Sequence, residues 1–418
     1  MKKLYLILVM CVATSAFAQN SYQTGFIKLF PEFYVKYPNN FILRDNGIVV
    51  IGTKDNSMYI AHIDSTNNIV WDKTLKCEFI RTTGQKLTKF SDTTFICLAN
   101  ANEKIFIAKL TNDGDTIWTK SLQIDEKWEH DYYQGSANDL LIDSNNDIIV
   151  CGYRDRYFDS YPNTCGFILK LNSSGDSIYY KGFDEASKFS SITESDSGYL
   201  VVGDNIMINY NFEGEIVWTK QYGGISVDKT NDNNFLVAGK ISGSGYFFTQ
   251  CHIQKINQNG DTIWTKTFGY DCDNDNASSI KKISDTKYIV VGELRYMCGG
   301  HNVDGFYSIL NSDGETILTQ RYCKPPAIDV PFYYAEIVAE GRYLILGRQG
   351  NSTLLLRTFD GGGFSDIKEI KKLNFHVYPN PTTGELRITN YELRIVGVEI
   401  YDVMGMRQHG DWEMQNAE

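Results

Sequence analysis

Short, continuously apolar runs recur along the chain, and each is bounded by residues typical of turns. The seven runs are Ile48–Gly52, Phe95–Ala99, Ile148–Gly152, Tyr199–Gly203, Phe235–Gly239, Tyr288–Gly292 and Tyr343–Gly347. A strand covered on both faces by neighbouring sheets has this unbroken apolar pattern. Six runs end in Gly, which indicates a bend or a close backbone approach at the same point of each run, and Ala99 is the exception. The pattern predicts seven copies of one buried strand.

A second phrase follows these runs and gives the repeat length. Asp115–Lys120 and Asp261–Lys266 both read D-T-I-W-T-K, and Glu215–Lys220 reads E-I-V-W-T-K. With weaker copies included, its aromatic position falls at Trp71, Trp118, Tyr179, Trp218, Trp264 and Leu318. Repeats of roughly 40–50 residues are typical of propeller blades and of some solenoids. We expect the Trp to be buried between adjacent blades and the lysine two residues later to reach the rim.

Each repeat contains apolar runs for four short strands, and Asn-x-x-Gly turns such as Asn172 to Gly175 join the third to the fourth. The seventh repeat lacks a convincing Trp phrase after Arg357, whereas an unassigned strand, Gly25–Phe30, lies near the start of the chain. Pairing these two would close a ring and remove exposed sheet edges. The sequence therefore predicts an all-β, seven-bladed β-propeller closed by its N-terminal strand, spanning residues 19–365.

The first 18 residues have the composition of a secretory leader. Lys2 and Lys3 precede the apolar run Leu4–Val12, and Ala16–Ala18 supplies a small-residue cleavage site. We expect an exported protein with no transmembrane anchor, since no later run reaches the roughly 20 apolar residues of a membrane span. Loss of the leader, with its two lysines, takes the formal net charge from −11 to −13. Nucleic acid and anionic membranes are therefore poor partners, and we expect a monomer.

Eight cysteines remain after the leader, and an exported chain can oxidise them. Their spacing contains no C-x-x-C pair, so a zinc site is not expected. Two pairs are candidate disulfides. Cys151 and Cys165 bracket one hairpin, and Cys272 and Cys298 fall in two loops of the same face. Buried free thiols are the alternative.

The end of the chain carries two phrases of a different kind. Val377–Leu386 contains P-N-P-T-T-G, and Val398–Gly405 contains I-Y-D-V-M-G. Together they resemble the C-terminal sorting domain of the type IX secretion system, a small β-sandwich that directs passage across the outer membrane. The resemblance implies a linker at 366–374 and a sorting domain at 375–418 that is shorter than the family pattern. It implies the type IX machinery as a partner and a secreted or cell-surface location, or a periplasmic one if the shortened domain is inactive.

The repeat phrase also resembles motifs of two propeller families. Its G-(D/E)-x-(I/V)-W pattern is similar to the tryptophan motif of quinoprotein dehydrogenases, but this chain lacks their adjacent Cys-Cys pair, so we expect no quinone cofactor. The D-G-E-T order at Ser312–Leu318 is similar to the Asp-box of sialidases, although its spacing differs by one residue.

Long connections are predicted on one face of the ring, where propeller ligands commonly bind. They span 125–135 with 153–164, 269–278 with 294–304, and 322–334. The candidate ligand-binding residues in them are Trp128, Asp131, Tyr132, Tyr133, Arg154, Arg156, Tyr157, Tyr270, Arg295, His301, Asp304, Tyr333 and Tyr334. Aromatic rings beside Asp and Arg suit a glycan, and a peptide or protein would fit almost as well. Packing of long loops onto the blades is the alternative.

Asp271, Asp273 and Asp275 have the spacing of the first three ligands of a calcium loop, but Asn276 and Lys282 stand where that loop needs Gly and Glu. No other cofactor is expected. Neither G-x-S-x-G nor H-E-x-x-H is present, so the sequence assigns no catalytic residue. A carboxylate pair drawn from distant loops leaves no local signature. We favour an exported, non-enzymatic binding protein for a glycan or protein; a carbohydrate-active hydrolase or lyase on the same scaffold is the alternative.

Overall fold

The structure is a computed structural model. It describes residues 7–9, 27–30, 40–44, 47–64, 68–75, 81–101, 104–123, 133–158, 161–183, 188–242, 249–269, 274–296, 302–322, 329–339, 341–350, 352–359, 376–378, 387–389 and 399–401, with side chains for most of those between 40 and 358. The chain divides into two compact units, one formed by Thr24–Asp366 and one by Met1–Gln23 with Ile367–Glu418. In the described residues no helix is long and apolar enough to cross a membrane.

The described elements are all β-strands, and most belong to seven four-stranded antiparallel sheets. The first two strands are β1 (Ile7–Val9) and β2 (Ile27–Phe30). Blade 1 contains β3 (Phe41–Arg44), β4 (Gly47–Lys54), β5 (Ser57–Asp64) and β6 (Ile69–Leu75). Blade 2 contains β7 (Thr82–Lys89), β8 (Thr94–Ala101), β9 (Lys104–Thr111) and β10 (Thr116–Gln123). Blade 3 contains β11 (Tyr133–Ile142), β12 (Ile148–Phe158), β13 (Tyr161–Leu171) and β14 (Ser177–Phe183).

The remaining blades repeat this order. Blade 4 contains β15 (Phe189–Glu194), β16 (Gly198–Gly203), β17 (Ile206–Asn211) and β18 (Ile216–Lys220). Blade 5 contains β19 (Ser226–Lys229), β20 (Phe235–Ser242), β21 (Thr249–Ile256) and β22 (Thr262–Phe268). Blade 6 contains β23 (Asn276–Ser284), β24 (Lys287–Tyr296), β25 (Asn302–Asn311) and β26 (Thr316–Tyr322). Blade 7 contains β27 (Phe332–Ala339), β28 (Arg342–Gln349), β29 (Ser352–Phe359) and β2. The tail strands are β30 (His376–Tyr378), β31 (Arg387–Thr389) and β32 (Glu399–Tyr401), with β30 pairing β31 and β1 pairing β32.

The N-terminal strand completes the last blade, as the sequence predicts. β2 pairs antiparallel with β29, with Ile27 opposite Leu356 and Phe30 opposite Thr353. It thus occupies the outer position that a fourth strand holds in the other six sheets.

Seven apolar clusters join the blades, one at each interface. The cluster that closes the ring contains Phe41 and Tyr59 of blade 1 with Tyr334 and Leu344 of blade 7. The other six join blades 1 and 2, 2 and 3, 3 and 4, 4 and 5, 5 and 6, and 6 and 7. Because every blade packs on two neighbours, the propeller is a closed seven-bladed ring. The predicted buried runs are the second strands of the blades. Each contributes side chains from its two faces to the clusters on either side of its blade.

The glycines that end the buried runs lie against the inner strand. A Cβ on Gly152 would lie 2.0 Å from the Ser136 carbonyl oxygen, so a larger residue does not fit. The exception, Ala99, pairs with Gly84, so in blade 2 the glycine lies on the partner strand. Next to this glycine, five inner strands each contain one residue that is left out of the pairing with the second strand. These residues are Gln85, Asn138, Ser190, Ser278 and Tyr333. Such β-bulges re-aim side chains and bend the strand.

The repeated aromatic packs on the next blade, as predicted, but it is half-buried rather than fully buried. In five blades it lies against the glycine of the next blade's turn between third and fourth strands: Trp71 on Gly114, Trp118 on Gly175, Tyr179 on Gly214, Trp218 on Gly260 and Trp264 on Gly314. Four of these turns are Asn-x-x-Gly, and that of blade 2 is Thr-x-x-Gly. A Cβ on any of these glycines would lie within 3.1 Å of the ring. We call this the aromatic–glycine contact. The phrase's lysine extends it, since Lys120 forms an ion pair of 2.9 Å with Asp176 of the next blade.

Two predicted loops are strands instead. Residues 153–158 and 161–164 continue the β12–β13 ladder, with Arg154 opposite Cys165 and Phe158 opposite Tyr161. Residues 294–296 and 302–304 likewise extend β24 and β25. The sequence there is polar, and the apolar criterion therefore ended these strands too early.

Candidate functional site

The first strands of the blades line a central cavity of about 1380 Å³. Each inner strand contributes a triplet with an apolar middle residue, and in five of the seven blades both outer residues of the triplet are polar. The middle residue of each triplet enters an inter-blade cluster, as Leu87 and Ile280 do, and its two neighbours face the cavity. This alternation follows from the period of two in a strand.

The cavity-facing residues form two rings, one residue from each blade in order. The upper ring contains Asn40, Lys86, Asp139, Ser191, Ser226, Ser279 and Tyr334. The lower ring contains Ile42, Thr88, Leu141, Thr193, Asp228, Lys281 and Glu336. The five bulge residues also line the cavity, and all carry a hydroxyl or an amide. The wall is therefore rich in uncharged hydrogen-bonding groups, with its charges concentrated in a few positions.

Asp139 is the one carboxylate of the upper ring, and both of its oxygens accept hydrogen bonds. Its Oδ1 accepts hydrogen bonds from the Leu140 amide at 2.8 Å and pairs with Lys86 at 2.9 Å. Its Oδ2 accepts from the Ser191 hydroxyl at 2.7 Å and the Ile192 amide at 3.1 Å. Burial alone would raise the pKa of Asp139, but Lys86 and these hydrogen bonds outweigh burial and lower the pKa. Asp139 therefore stays ionised and joins blades 2, 3 and 4.

Other ring residues connect neighbouring inner strands in the same way. The Val227 amide donates to the Ser191 hydroxyl at 3.4 Å, and the Ile280 amide donates to the Ser226 hydroxyl at 3.3 Å. The Lys282 amide donates to Asp228 Oδ2 at 2.8 Å. These side chains replace the backbone ladder that separate sheets cannot form, so much of the polar wall is structural.

Tyr334 is the aromatic centre of the cavity. The Nζ atoms of Lys86 and Lys281 each lie 5.5 Å from its ring centroid, which is cation–π distance. Its hydroxyl donates to Glu336 Oε2 at 2.7 Å, and Phe41 packs edge-on at 5.5 Å. Burial raises the pKa of Tyr334, so the hydroxyl remains protonated. Tyr334, Asp228 and Glu336 raise the pKa of Lys281, which therefore stays charged.

Two polar side chains that line the cavity together with Tyr334 have unused hydrogen-bonding capacity. Within the described part of the chain, the Lys281 ammonium forms no ion pair or hydrogen bond. Asn40 is only 2% exposed, and no described residue donates to its Oδ1. A buried amide oxygen without a donor is costly. A ligand could hydrogen-bond to both groups while lying against the Tyr334 ring.

Two of the predicted ligand-binding residues line this cavity, and three others are engaged elsewhere. Tyr333 and Tyr334 belong to the inner strand of blade 7. Arg154 is buried 5.8 Å from the centroid of the Tyr180 ring within its own blade. Arg295 pairs with Glu293 at 2.8 Å, and Asp304 pairs with Arg321 at 2.8 Å. Burial raises the pKa of Asp304.

The other predicted residues are not placed in a site. Trp128, Asp131, Tyr132, Tyr270 and His301 lie outside the described residues, and only the backbone is described for Tyr133, Arg156 and Tyr157. Conversely, sequence reasoning missed Asn40, Lys86, Asp139, Lys281 and Glu336. Five of the seven buried runs are preceded by a polar–apolar–polar triplet, such as Ser279–Lys281, and this is the signal for Lys86, Lys281 and Glu336. The triplets of Asn40 and Asp139 end in Ile42 and Leu141, so only their first residue is polar.

The predicted cation and disulfide sites are largely outside the described residues, which exclude Asp271, Asp273, Cys272 and Cys298. Asp275 is fully buried, and its Oδ1 accepts the Arg295 amide at 3.0 Å. No group of three potential metal ligands occurs among the residues described. Cys151 and Cys165 are both buried. Cys151 pairs with Ile168 and Cys165 with Arg154, so their three-residue offset prevents the predicted disulfide.

No protein-family model and no curated protein matches the chain. Among solved structures, the chain is similar to the WD40 domain of Neurospora crassa Pan2, with 11% identity over 79% of this chain and 91% of that chain and a TM-score of 0.50. It is also similar to a Bacteroides caccae protein of unknown function, with 13% identity over 65% and 93% and a TM-score of 0.43. YCF48 from Cyanidioschyzon merolae gives 12% identity over 81% and 99%, with a TM-score of 0.46. At these identities the Pan2 likeness supports the propeller fold and no function.

Proposed function

We propose that the protein binds the polar end of a glycan in the central cavity. The observation that carries the proposal is the lining around Tyr334: its ring lies 5.5 Å from the Lys281 ammonium, and Asn40, whose amide oxygen has no hydrogen-bond donor, lines the same cavity. Sugars present C–H faces that stack on aromatic rings and hydroxyls that both donate and accept hydrogen bonds. The hydroxyl and amide side chains of the bulges supply further partners of the same kind.

The cavity favours binding over glycoside hydrolysis. A general acid in such enzymes needs a carboxyl group with a raised pKa, opposite a second, free carboxylate. Asp139 has a lowered pKa, and four donors occupy its two oxygens. Glu336 is bonded to the Tyr334 hydroxyl, and Asp228 to the Lys282 amide. Asp139 and Asp228 thus join neighbouring inner strands, and Glu336 is bonded within its own strand.

The proposal includes export. The leader-like residues 1–18 and the sorting-domain phrases at 377–386 and 398–405 support delivery to the cell surface or medium by the type IX machinery. Expression in a bacterium that has this system tests it. A mature N-terminus at Gln19 and recovery outside the cell are expected, and retention of an uncleaved chain in the cytoplasm would contradict export.

A glycan array on residues 19–418 tests the binding proposal, with each hit then titrated against two variants. Lys281→Met removes the unpaired ammonium, and we expect affinity to fall by about tenfold or more, since a hydrogen bond to a charged group contributes about 1.5–3 kcal/mol. The control is Lys229→Met, which removes a surface ion pair with Asp196 outside the cavity and should leave affinity within about twofold. Absence of any glycan hit, or equal affinity of the two variants, would refute the proposal.

A further inference from the structure

The aromatic–glycine contact is missing from the two interfaces that flank blade 7. It joins blades 1 to 2, 2 to 3, 3 to 4, 4 to 5 and 5 to 6. At the junction of blades 6 and 7 the aromatic and its lysine are replaced by Leu318 and Gln320. At the junction of blades 7 and 1 the receiving turn of blade 1, residues 64–68, reads D-S-T-N-N and has no glycine. Both interfaces therefore lack half of the contact by sequence.

Several of the five aromatic–glycine contacts include hydrogen bonds to the turn of the next blade. The Trp218 indole N–H donates to the Gln258 carbonyl at 2.9 Å, and Trp264 donates to the Ser312 carbonyl at 3.0 Å. Lys73 donates to the Gly114 carbonyl at 2.6 Å. Three of the five contacts thus combine ring packing with a hydrogen bond to a backbone carbonyl of the next blade's turn. The sequence does not provide both halves of this contact on either side of blade 7.

Blade 7 is also the blade assembled from both ends of the ring. Its outer strand β2 has four residues, whereas the fourth strands of the other blades have five to eight. A short strand supplied by a chain terminus frays more readily than one held by a hairpin on each side. This observation is independent of the aromatic–glycine contacts and singles out the same blade.

We infer that blade 7, with β2, is the section of the ring that opens. Opening proceeds by release of β2 from β29, followed by separation of blade 7 from blades 6 and 1, while blades 2 to 5 stay closed. Blade 7 carries Tyr333, Tyr334 and Glu336, so its opening takes apart the candidate site; this consequence alone rests on the proposed function. The ring would then regulate its own site through the pairing of its N-terminal strand.

Hydrogen exchange of the full mature chain, read by mass spectrometry without ligand, tests the inference directly. Amides of β2 and β27–β29 should exchange together at least about tenfold faster than the equivalent strands of blades 3 and 4. Equal or slower exchange in blade 7 would overturn the inference. Because no ligand is present, a failure here is separate from a failure of glycan binding.

A pair of variants extends the test to the cause. Trp118→Ala removes the contact between blades 2 and 3, and their exchange should rise towards that of blade 7. Ile117→Ala is the matched control, because Ile117 lies on the same strand and is half exposed to solvent. If Trp118→Ala leaves exchange in blades 2 and 3 unchanged relative to Ile117→Ala, the aromatic–glycine contact does not set the weak point, and the inference fails.

Discussion

At the residue scale, the repeat is built on a fit between an aromatic ring and a glycine. Gly175 has a φ of +80° and its hydrogen faces Trp118, so both its backbone conformation and its lack of a side chain are used. The recurring phrase is thus one half of a contact whose other half is the next blade's turn. The sequence alone revealed both halves, but not that they touch, because the contact joins different repeats.

Gly175→Ala should destabilise the ring. The new methyl group would lie 2.9 Å from Trp118, and a left-handed residue costs an alanine about 1–2 kcal/mol. We expect the free energy of unfolding in urea to fall by about 2 kcal/mol or more. Ser174→Ala, one residue away in the same exposed turn, is the control and should change stability by less than about 0.5 kcal/mol. Similar stability of the two variants would rule out the packing described.

Two histidines should make stability depend on pH. Burial, with the charge of Arg44, lowers the pKa of His62, and burial lowers the pKa of His252. A group whose pKa is lower in the folded state stabilises the protein fully above its unfolded value of about 6.5 and loses this contribution as pH falls. Urea unfolding at pH 7.5, 6.5 and 5.5 should show decreasing stability, and the double variant His62→Asn, His252→Asn should show a smaller decrease. A stability that rises towards pH 5.5 would contradict this account.

At the element scale, what determines predictability is whether a strand is buried on both faces. The second strands are buried on both faces, so their apolar runs reveal the number of blades. The unassigned strand near residue 27 reveals how the ring closes. The inner strands alternate, and their polar half faces a cavity that exists only once seven blades meet. The bulges at positions such as Asn138 and Tyr333 have no local sequence signal, because each lies beside a glycine that belongs to the neighbouring strand.

Removal of β2 should open the ring without unfolding the other blades. A chain starting at residue 31 would leave β29 as a free edge, and we expect a lower melting temperature and a larger hydrodynamic radius. A synthetic peptide of residues 24–31 added in trans should restore the melting temperature, whereas a scrambled peptide of the same composition should not. Unchanged melting after the deletion would mean that β2 does not close the ring.

At the scale of the whole molecule, the seven-fold ring brings seven inner strands of different sequence around one cavity. Most of the polar groups there form hydrogen bonds between neighbouring blades, as those of Asp139 and Ser191 do. What remains is concentrated beside Tyr334, where Lys281 and Asn40 face the cavity. Of the predicted loop residues, Arg295 and Asp304 form ion pairs with Glu293 and Arg321, and Arg154 is buried against the Tyr180 ring. Among the described residues, the candidate site therefore lies in the central cavity.

The most direct measurement is a crystal structure of the mature protein with a glycan that binds it in the array. The account predicts density for a sugar ring in the central cavity, within van der Waals distance of the Tyr334 ring and with hydroxyls on Lys281 Nζ and the Asn40 amide. A sugar bound only on the outer surface or at the loop tips, with the cavity filled by solvent, would contradict it.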